Sequence, residues 1–276
     1  MPWSQSETMP ERAKTPTVDS VPPAANASGG ARGTLPTGAS DERSAAKAVR
    51  QMFDEIAPRY DFLNHVLSMN VDRLWWRRTA RTFSHVLSRN NARVLDLCAG
   101  TGDMSVAMRA SATRQNSGAA ILALDFSHQM LQHGLEKFSA KKIQPLEADA
   151  LHLPLADNSM DLVVSSFGFR NLANYDAGLR EIFRVLKPQG EMGILDFSEP
   201  GGLLGKLYGF YFRKVLPKIG TMISGVRGPY EYLPASVQKF PAPQEMLTRM
   251  ESVGFKDASW TPYTFAIAGL YRGKKV

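Results

Sequence analysis

The sequence has 276 residues, of which 43% are hydrophobic, and it carries a net charge of +7. This length suffices for one large domain with its own core, and no apolar run approaches the ~20 residues of a membrane-spanning helix. The single cysteine, Cys98, excludes an internal disulfide and a cysteine-based metal cage; with no recognisable signal peptide, we expect a cytoplasmic protein without a metal site.

Residues 1–40 are rich in Pro, Ser, Thr, Gly and Ala and show no apolar periodicity. They predict a disordered tail, followed by one domain over residues 41–276. A mitochondrial transit peptide is the alternative, but acidic residues offset the basic ones and no basic amphipathic helix is visible. Ordered structure is predicted to begin near Asp41, where apolar residues between 46 and 56 fall on one helical face.

Residues 41–90 precede the first predicted strand and are expected to form a helical lid, with one helix running from residue 71 to about residue 88. Tyr60 lies among polar residues that can hydrogen-bond a substrate. Trp75 and Trp76 offer apolar area for a ring or a lipid chain. The alternative is a pair of amphipathic helices that only packs on the edge of the sheet.

Residues 94–103 read Val-Leu-Asp-Leu-Cys-Ala-Gly-Thr-Gly-Asp, a short buried strand that ends in glycines before a helix resumes. Gly100 and Gly102 let the backbone approach a ligand, and Asp103 suits the N-cap of the helix. Dinucleotide sites place a pyrophosphate at that N-terminus, which Asp103 would repel. S-adenosylmethionine fits better, because it has no phosphate and carries a cationic sulfonium amino acid.

Acidic residues follow the next two predicted strands. Asp125 closes the strand over residues 119–125, roughly 20 residues beyond the glycines, where a carboxylate can accept both ribose hydroxyls of an adenosine. The alternative is that Asp125 only begins a turn. Asp149 follows the strand over residues 143–146 and can accept a hydrogen bond from an adenine amino group.

The fourth strand is predicted over residues 160–166, and Phe-Gly-Phe-Arg-Asn follows it directly at residues 167–171. Asp196 at the end of the fifth strand either lies near the site or serves as a cap. The remaining elements are a helix over 174–186, a strand over 191–197, a helix over 242–253, and a hairpin over 255–260 and 264–271 at the sheet edge. This alternation predicts an α/β fold with a seven-stranded, mostly parallel sheet, an antiparallel edge strand and helices on both faces.

Residues 200–240 are predicted to be an insertion that covers the substrate site. Between Glu199 and Glu231 aromatic and leucine residues alternate with lysines and arginines, and no acidic residue occurs. This pattern favours a membrane surface as a peripheral partner, because basic side chains attract anionic lipid while apolar ones contact acyl chains. A helix that covers the sheet edge is the alternative. Nucleic acid ranks third, and we predict no nucleic-acid partner.

The chain resembles the ubiquinone/menaquinone biosynthesis C-methyltransferases over roughly residues 47–273. Four segments carry the resemblance: residues 60–64 leading to 73–75, residues 95–103, residues 166–171 and residues 232–236. Cys98 stands where the general methyltransferase motif has glycine, a departure shared within this family, and Phe169 replaces an aliphatic residue. The resemblance implies a Rossmann-like class I fold that depends on S-adenosylmethionine, with this cofactor held at Thr101, Asp125, Asp149 with Ala150, and Ser166.

Pattern and resemblance together give one set of candidate site residues. The predicted cofactor-binding residues are Asp96, Gly100, Thr101, Gly102, Asp125, Asp149, Ala150 and Ser166, and the predicted catalytic residues are Arg170, Asn171 and Tyr60. C-methylation of a quinol ring requires a phenolate, and Arg170 is predicted to stabilise it while Asn171 and Tyr60 orient the ring or a water. The alternative is that Arg170 only ties its loop to the sheet.

The resemblance implies C-methylation of a polyprenylated quinol, with conversion of demethylmenaquinol to menaquinol as the expected reaction. A methoxylated polyprenyl benzoquinol of the ubiquinone pathway is the alternative substrate. Two rival functions remain: a domain that binds the cofactor without chemistry, and a methyltransferase acting on RNA or on a small anionic molecule. The expected location is the cytoplasm, with peripheral attachment to the inner face of the cell membrane, and a homodimer is left open.

Overall fold

The computed structural model describes residues 33–36, 38–59, 70–201 and 228–276, without the side chains of residues 59, 228–231 and 233. The predictions for Tyr60, for residues 1–32 of the tail and for residues 202–227 of the basic segment therefore lie outside the described residues. Within the described ranges, no helix has both the length and the apolar character needed to span a membrane.

The core of the fold is a seven-stranded sheet in the order β3-β2-β1-β4-β5-β7-β6. Its strands are β1 Arg93–Leu97, β2 Ala120–Asp125, β3 Gln144–Glu147, β4 Met160–Ser166, β5 Leu186–Phe197, β6 Lys256–Tyr263 and β7 Ala268–Lys274. The first five strands pair in parallel, and β7 runs antiparallel to both β5 and β6. The predicted sheet, with a C-terminal hairpin at its edge, is confirmed.

Helices connect the parallel strands and cover both faces of the sheet. They are α1 Glu42–Ile56, α2 Val71–Thr82, α3 Ser84–Leu87, α4 Asp103–Arg114, α5 His128–Lys141, α6 Tyr175–Val185, α7 Gly228–Lys239 and α8 Pro243–Val253. Two short 3-10 turns lie at Ala57–Arg59 and Phe169–Asn171. Helix α1 begins as predicted, with Asp41 as its N-cap in a reciprocal capping box with Ser44.

Two hydrophobic clusters, one on each face, hold the helices to the sheet. Val94 of β1 belongs to the cluster shared with α2, α4 and α5, whereas its neighbour Leu95 belongs to the cluster shared with α6 and α8. This alternation follows from the two-residue period of a strand. Since both faces are buried, the central strands are almost entirely apolar, which is the reason that they were recognisable from sequence.

Three regions differ from the sequence prediction by more than one residue at a boundary. The helix predicted over 71–88 is interrupted at Phe83, whose backbone leaves the helical region, so that α2 and α3 are separate. Strand β5 begins at Leu186, because Leu186 already pairs with Met160 before a bulge in the ladder. The hairpin strands are also shifted toward the C-terminus. In each case local pairing or packing moves a boundary that periodicity alone does not specify.

The ordered chain starts before Asp41. Thr34 is 2% exposed, its backbone N–H donates to the carbonyl of Leu172 at 2.8 Å, and the ammonium of Lys239 donates to the carbonyl of Leu35 at 2.9 Å. Residues 33–36 therefore pack against the domain, and a tail boundary at residue 40 is too late for them. This packing could not be predicted from the sequence, because a Gly-Thr-Leu-Pro stretch shows no apolar periodicity.

Helix α1 lies over the ends of strands β2 and β3. The hydroxyl of Ser127 donates to the carboxylate of Asp54 at 2.5 Å, and Arg50 forms an ion pair with Glu147 at 2.6 Å. The first of these bonds fixes the helix at the N-cap of α5. Helix α1 thereby becomes one wall of the cavity at the carboxyl ends of the strands.

Candidate cofactor and active site

One cavity opens at the carboxyl ends of β1, β2 and β4, where ligands bind in open α/β sheets. The space at this opening, counted together with its open mouth, amounts to about 980 Å³. Its walls come from the loops after β1, β2, β3 and β4 and from helices α1 and α2. Helix α1 contributes Ala46 and Phe53, and α2 contributes Trp76.

The turn after β1 forms the floor of this cavity. Cys98, Gly100 and Gly102 have φ values of 57°, 57° and 88°, all in the left-handed region. Glycine adopts that region without cost, whereas Cys98 does so at the position where the general motif has glycine. Gly102 is the N-cap of α4, so that the prediction of Asp103 as the cap was wrong by one residue.

Gly102 is needed for packing more than for ligand contact. A Cβ at Gly102 or at Gly134 of α5 would overlap the ring of Phe138, which is 1% exposed. Phe138 thus occupies the space left by two missing side chains. Among the predicted cofactor residues, Gly102 does not line the cavity.

Asp96, near the end of β1, is a buried carboxylate with one unused oxygen. Its Oδ2 accepts a 2.5 Å hydrogen bond from the hydroxyl of Ser105, while Oδ1 is buried and has no hydrogen-bond partner among the described residues. Burial is the main cause that raises the pKa of Asp96 to about 7. An acceptor of this kind on the cavity wall suits a cationic donor, such as the ammonium group of an amino acid.

Asp125, at the end of β2, lines the same cavity and is 6% exposed. Its carboxylate accepts backbone N–H groups from Gly100 at 2.8 Å and from Ser127 at 2.9 Å. A carboxylate has about four acceptor positions, so that two remain for hydroxyl donors. Burial, only partly offset by those N–H groups, raises the pKa of Asp125 to about 6.

Asp149 and Ala150 line the cavity at the loop after β3. Ala150 is buried, whereas the side chain of Asp149 is about half exposed. One Asp149 oxygen accepts the N–H of Leu151 at 2.9 Å, and the other lies 3.2 Å from Nδ1 of His152. The loop is held by its own hydrogen bonds, and its carboxylate keeps acceptor capacity.

Lys137 changes the charge at the N-terminus of α4. Its ammonium lies 2.9 Å from the Asp103 carboxylate and 3.3 Å from the hydroxyl of Thr101, and Thr101 and Asp103 both line the cavity. The repulsion expected between Asp103 and a phosphate is therefore reduced by an ion pair. Sequence spacing did not reveal this partner, because Lys137 lies on a different helix.

Ser166, at the end of β4, is bound to helix α2. The indole N–H of Trp76 donates to the Ser166 hydroxyl oxygen at 2.9 Å, and both residues line the cavity. The indole N–H of its neighbour Trp75 instead donates to Thr264 at 2.8 Å. Of the two tryptophans expected to serve a ligand, only Trp76 reaches the cavity wall.

The loop after β4 separates the two residues predicted to act together. Asn171 lines the cavity, and its Oδ1 accepts the hydroxyl of Tyr232 at 3.1 Å. The guanidinium of Arg170 turns away from the cavity, pairs with the Asp196 carboxylate at 2.9 Å and donates to the carbonyl of Phe167. Burial raises the pKa of Asp196, although Arg170 opposes that shift.

Phe167 begins an aromatic wall that continues beyond the cavity. Its φ of 57° is unusual for a bulky residue, and its ring centre lies 4.5 Å from that of Phe197 and 5.8 Å from that of Trp75. The guanidinium of the buried Arg170 donates to the Phe167 carbonyl and so stabilises this strained backbone conformation. An apolar ring system can pack against these rings beside the cavity.

The structure brings most of the predicted site residues to one cavity. Seven of the predicted cofactor residues line it, together with Asn171; they are Asp96, Gly100, Thr101, Asp125, Asp149, Ala150 and Ser166. Arg170 and Gly102 support the wall from behind, and Tyr60 lies outside the described residues. Ser105, Lys137 and Tyr232 were not predicted as site residues, because they bind the functional side chains and do not stand at strand ends.

Known proteins resemble this chain in sequence. The sequence model of the ubiE/COQ5 methyltransferase family matches residues 38–275. The chain is 43% identical over 238 residues to a demethylmenaquinone methyltransferase of Deinococcus radiodurans, covering 85% of this chain and 95% of that protein. It is 41% identical over 232 residues to a ubiquinone/menaquinone biosynthesis C-methyltransferase UbiE of Geotalea daltonii, covering 82% and 96%.

The fold is also found in solved structures of lower sequence similarity. One is a SAM-dependent methyltransferase of Thermotoga maritima, with a TM-score of 0.57 and 16% identity. That match covers 83% of this chain and 100% of the other. At this identity the likeness concerns the fold alone.

Proposed function

The chain belongs to the ubiE/COQ5 methyltransferase family, and on that basis we propose that it methylates a ring carbon of a polyprenylated quinol, converting demethylmenaquinol to menaquinol. It is an S-adenosylmethionine-dependent C-methyltransferase. The single observation that carries the assignment of the site is the carboxylate of Asp96, which lines a cavity at the strand ends and whose buried Oδ1 has no partner in the part of the chain that the structure describes. That acceptor fits an amino-acid cation, which a dinucleotide lacks.

The residues of the cavity fit S-adenosylmethionine along its length. Asp96 would hold the ammonium group, Asp125 the ribose hydroxyls, and Asp149 with Ala150 the adenine. Thr101 and Gly100 would border the chain between them, with Ser166 on the opposite wall. When bound, the cofactor supplies an electrophilic methyl group on a cationic sulfur.

The quinol ring would bind beside Asn171 and the ring of Phe167. Asn171 lines the cavity with its Oδ1 already bound to Tyr232, so that its amide N–H groups remain as donors toward a ring oxygen. Phe167 supplies an apolar face for the ring. Tyr60 stays a prediction, since the family resemblance alone suggests that it helps to orient the quinol.

A phenolic proton must leave before the ring carbon becomes nucleophilic; once that carbon carries the methyl group, its own hydrogen leaves as a proton and the ring oxygen takes a proton back. Among the described residues no histidine lines the cavity, so that a water oriented by Asn171 is the proposed proton acceptor. Arg170 acts as a positioning residue: its ion pair with Asp196 fixes the loop that carries Phe167 and Asn171. This is the loop-tying alternative considered from the sequence, and it replaces direct contact of Arg170 with a phenolate.

The methoxylated benzoquinol of the ubiquinone pathway is the second candidate substrate. The relative from Geotalea daltonii carries a name that includes both pathways, which supports this alternative. The two acceptors differ in ring size, and an aromatic wall of packed rings favours the larger, bicyclic naphthoquinol.

The proposal is tested with the purified full chain, S-adenosylmethionine and a reduced acceptor quinol. Turnover of demethylmenaquinol to menaquinol is expected, with slower methylation of the benzoquinol. A domain that binds without chemistry would bind S-adenosylmethionine in calorimetry but give no methylated product. Quinone profiling of a deletion strain, in which demethylmenaquinone should accumulate, tests the same assignment in the cell.

A polyprenyl substrate resides in membranes, and we therefore propose that the enzyme binds the membrane surface peripherally. The basic, aromatic segment that suggested this lies mostly outside the described residues, between positions 202 and 227. Flotation with anionic vesicles, and its loss at high salt, tests the proposal. A homodimer likewise stays a proposal that sedimentation can decide.

A further inference from the structure

Residues 33–36, called here the N-terminal strap, lie outside the match to the family, which begins at residue 38. The strap nevertheless contacts the wall of the cavity. Thr34 is buried, and its N–H donates to the carbonyl of Leu172, a residue that lines the cavity. Lys239 of α7 binds the carbonyl of Leu35 at 2.9 Å. The strap is thus held from two sides.

Gly33 shows how closely the strap approaches the wall. A Cβ at this position would overlap the backbone carbonyl of Ala173 and the amide nitrogen of Asn174. Backbone atoms cannot turn aside as a flexible side chain can. Only glycine therefore permits the strap to lie in its observed position.

A chain of hydrogen bonds leads from the strap to the substrate side of the cavity. The hydroxyl groups of Thr34 and Tyr232 are 2.8 Å apart, and the Tyr232 hydroxyl donates to Oδ1 of Asn171 at 3.1 Å. Tyr232 has a single hydroxyl proton, which it gives to Asn171. Thr34 must therefore donate to Tyr232, and the chain runs in one direction.

We propose that Thr34 is a positioning residue for methyl transfer, which fixes the carboxamide of Asn171 through Tyr232. With Oδ1 of Asn171 committed to Tyr232, its amide N–H groups keep one orientation toward the quinol. Loss of the Thr34 donor frees the Tyr232 hydroxyl to rotate, and Asn171 loses its fixed orientation. The inference rests on the proposed function for the role of Asn171, whereas the docking of the strap does not.

Docking is tested first, by amide hydrogen exchange on the full chain without cofactor or substrate. The Thr34 amide should be protected in the wild type, and Gly33→Ala should bring its exchange close to the rate of an unfolded peptide. Gly201→Ala is the matched control, because a Cβ there meets no atom of the described residues within 4 Å. An unprotected Thr34 amide in the wild type would overturn the inference, whatever reaction the enzyme catalyses.

Positioning is tested with Thr34→Val, which keeps the shape of the side chain and removes its hydroxyl. We expect kcat/KM for demethylmenaquinol to fall about fivefold to tenfold, as for one lost hydrogen bond, with calorimetric affinity for S-adenosylmethionine unchanged. Thr34→Ser should restore activity. Thr248→Val on the exposed side of α8, whose hydroxyl donates to the carbonyl of Gln244 in the same helix, should have no effect.

A double-mutant cycle separates this chain from general stabilisation. Because Thr34 acts through the Tyr232 hydroxyl, adding Thr34→Val to Tyr232→Phe should cost little more than Tyr232→Phe alone. Additive losses in kcat/KM, or wild-type kinetics of Thr34→Val, would refute the positioning role. If the wild-type protein methylates no quinol, the proposed function fails. The same double-mutant cycle is then measured by hydrogen exchange of the side-chain amide of Asn171, and additive effects there again refute the inference.

Discussion

The guanidinium of Arg170 and the carboxylate of Asp196 form an ion pair at 2.9 Å, with side chains that are 6% and 0% exposed. The pair joins the loop after β4 to the end of β5. The Asp196 carboxylate also accepts the Arg170 backbone N–H at 3.1 Å, and the hydroxyl of Tyr175 donates to the Arg170 carbonyl at 3.0 Å. Arg170 is thus fixed through its side chain and its backbone.

Replacing Arg170 by alanine should lower the free energy of unfolding by about 3–5 kcal/mol, because it leaves the Asp196 charge buried without a partner. Urea titration measures this loss. The double variant Arg170→Leu, Asp196→Leu should recover much of the stability but not kcat, since the loop that carries Asn171 is no longer fixed. Normal turnover of Arg170→Ala would show that neither positioning nor phenolate stabilisation depends on this residue.

Asp125→Ala should weaken S-adenosylmethionine binding about tenfold or more, because ribose hydroxyls lose a charged acceptor worth ~1.5–3 kcal/mol per hydrogen bond. Calorimetry on folded protein measures the effect. Asp157→Ala, at a side chain that is 68% exposed, is the control and should keep wild-type affinity. Equal affinity of wild type and Asp125→Ala would remove Asp125 from the cofactor site.

Asp96 should make stability depend on pH in the absence of cofactor. Its pKa is raised from 3.8 to about 7, so that the folded protein binds this proton more tightly than the unfolded chain does. The resulting stability is fully present below pH ~4 and is lost as the pH rises through ~7. Asp96→Asn should therefore gain about 2 kcal/mol relative to wild type between pH 5 and pH 8.

The control for this pH dependence is Asp161→Asn. The pKa of Asp161 is lowered, with the Lys187 ammonium and the Arg93 N–H opposing its desolvation. Its carboxylate is ionised throughout that range, and its substitution should change stability by the same amount at both pH values. Parallel curves for Asp96→Asn and wild type would contradict the raised pKa of Asp96.

Trp76→Phe should raise the dissociation constant for S-adenosylmethionine about fivefold, because the Ser166 hydroxyl loses its donor and its fixed orientation. Trp75→Phe is a matched control. It removes an indole N–H whose hydrogen bond, at 2.8 Å against 2.9 Å, is nearly as long as that of Trp76 but is directed at Thr264, outside the cavity. Affinity is measured by calorimetry. Similar losses in both variants would mean that the effect comes from helix α2 as a whole.

Truncation should separate the tail from the strap. Deleting residues 1–32 removes none of the described contacts, and we expect full activity and an unchanged melting temperature. Deleting residues 1–40 also removes the strap, and should cost about 1–2 kcal/mol of stability together with part of kcat/KM. Thermal melts and kinetics of both truncations measure this. If both truncated proteins have the same melting temperature and the same kinetics, residues 33–40 are dispensable as well.

The sheet was predictable because its central strands are buried on both faces and end in residues that have a chemical reason to be there. Asp96, Asp125 and Ser166 follow apolar runs, and parallel strands bring such ends to one edge. Strand-end side chains therefore identify themselves in a sequence. These residues come from separate segments of the chain, and the topology of the sheet places them around one cavity.

The partners of those side chains were not predictable in the same way. Lys137, Tyr232 and Thr34 lie on other elements, and each reaches its partner through tertiary packing that no local period encodes. No sequence pattern predicts that Arg170 lies outside the cavity while Asn171 lines its wall. In a short 3-10 turn the direction of a side chain depends on the neighbour that binds it, here Asp196.

The ring of Phe138 between Gly102 and Gly134 restricts how this protein can evolve. A side chain at either glycine meets the ring, and a smaller residue at 138 leaves a void beside the cofactor turn. A smaller residue at 138 does not by itself make room, because the φ of 88° at Gly102 strains any larger residue, and a Cβ at Gly134 would also meet the backbone carbonyl oxygen of Thr101 at 2.9 Å. We therefore expect a mutational scan to recover only glycine at positions 102 and 134, even on a background in which Phe138 has been reduced in size.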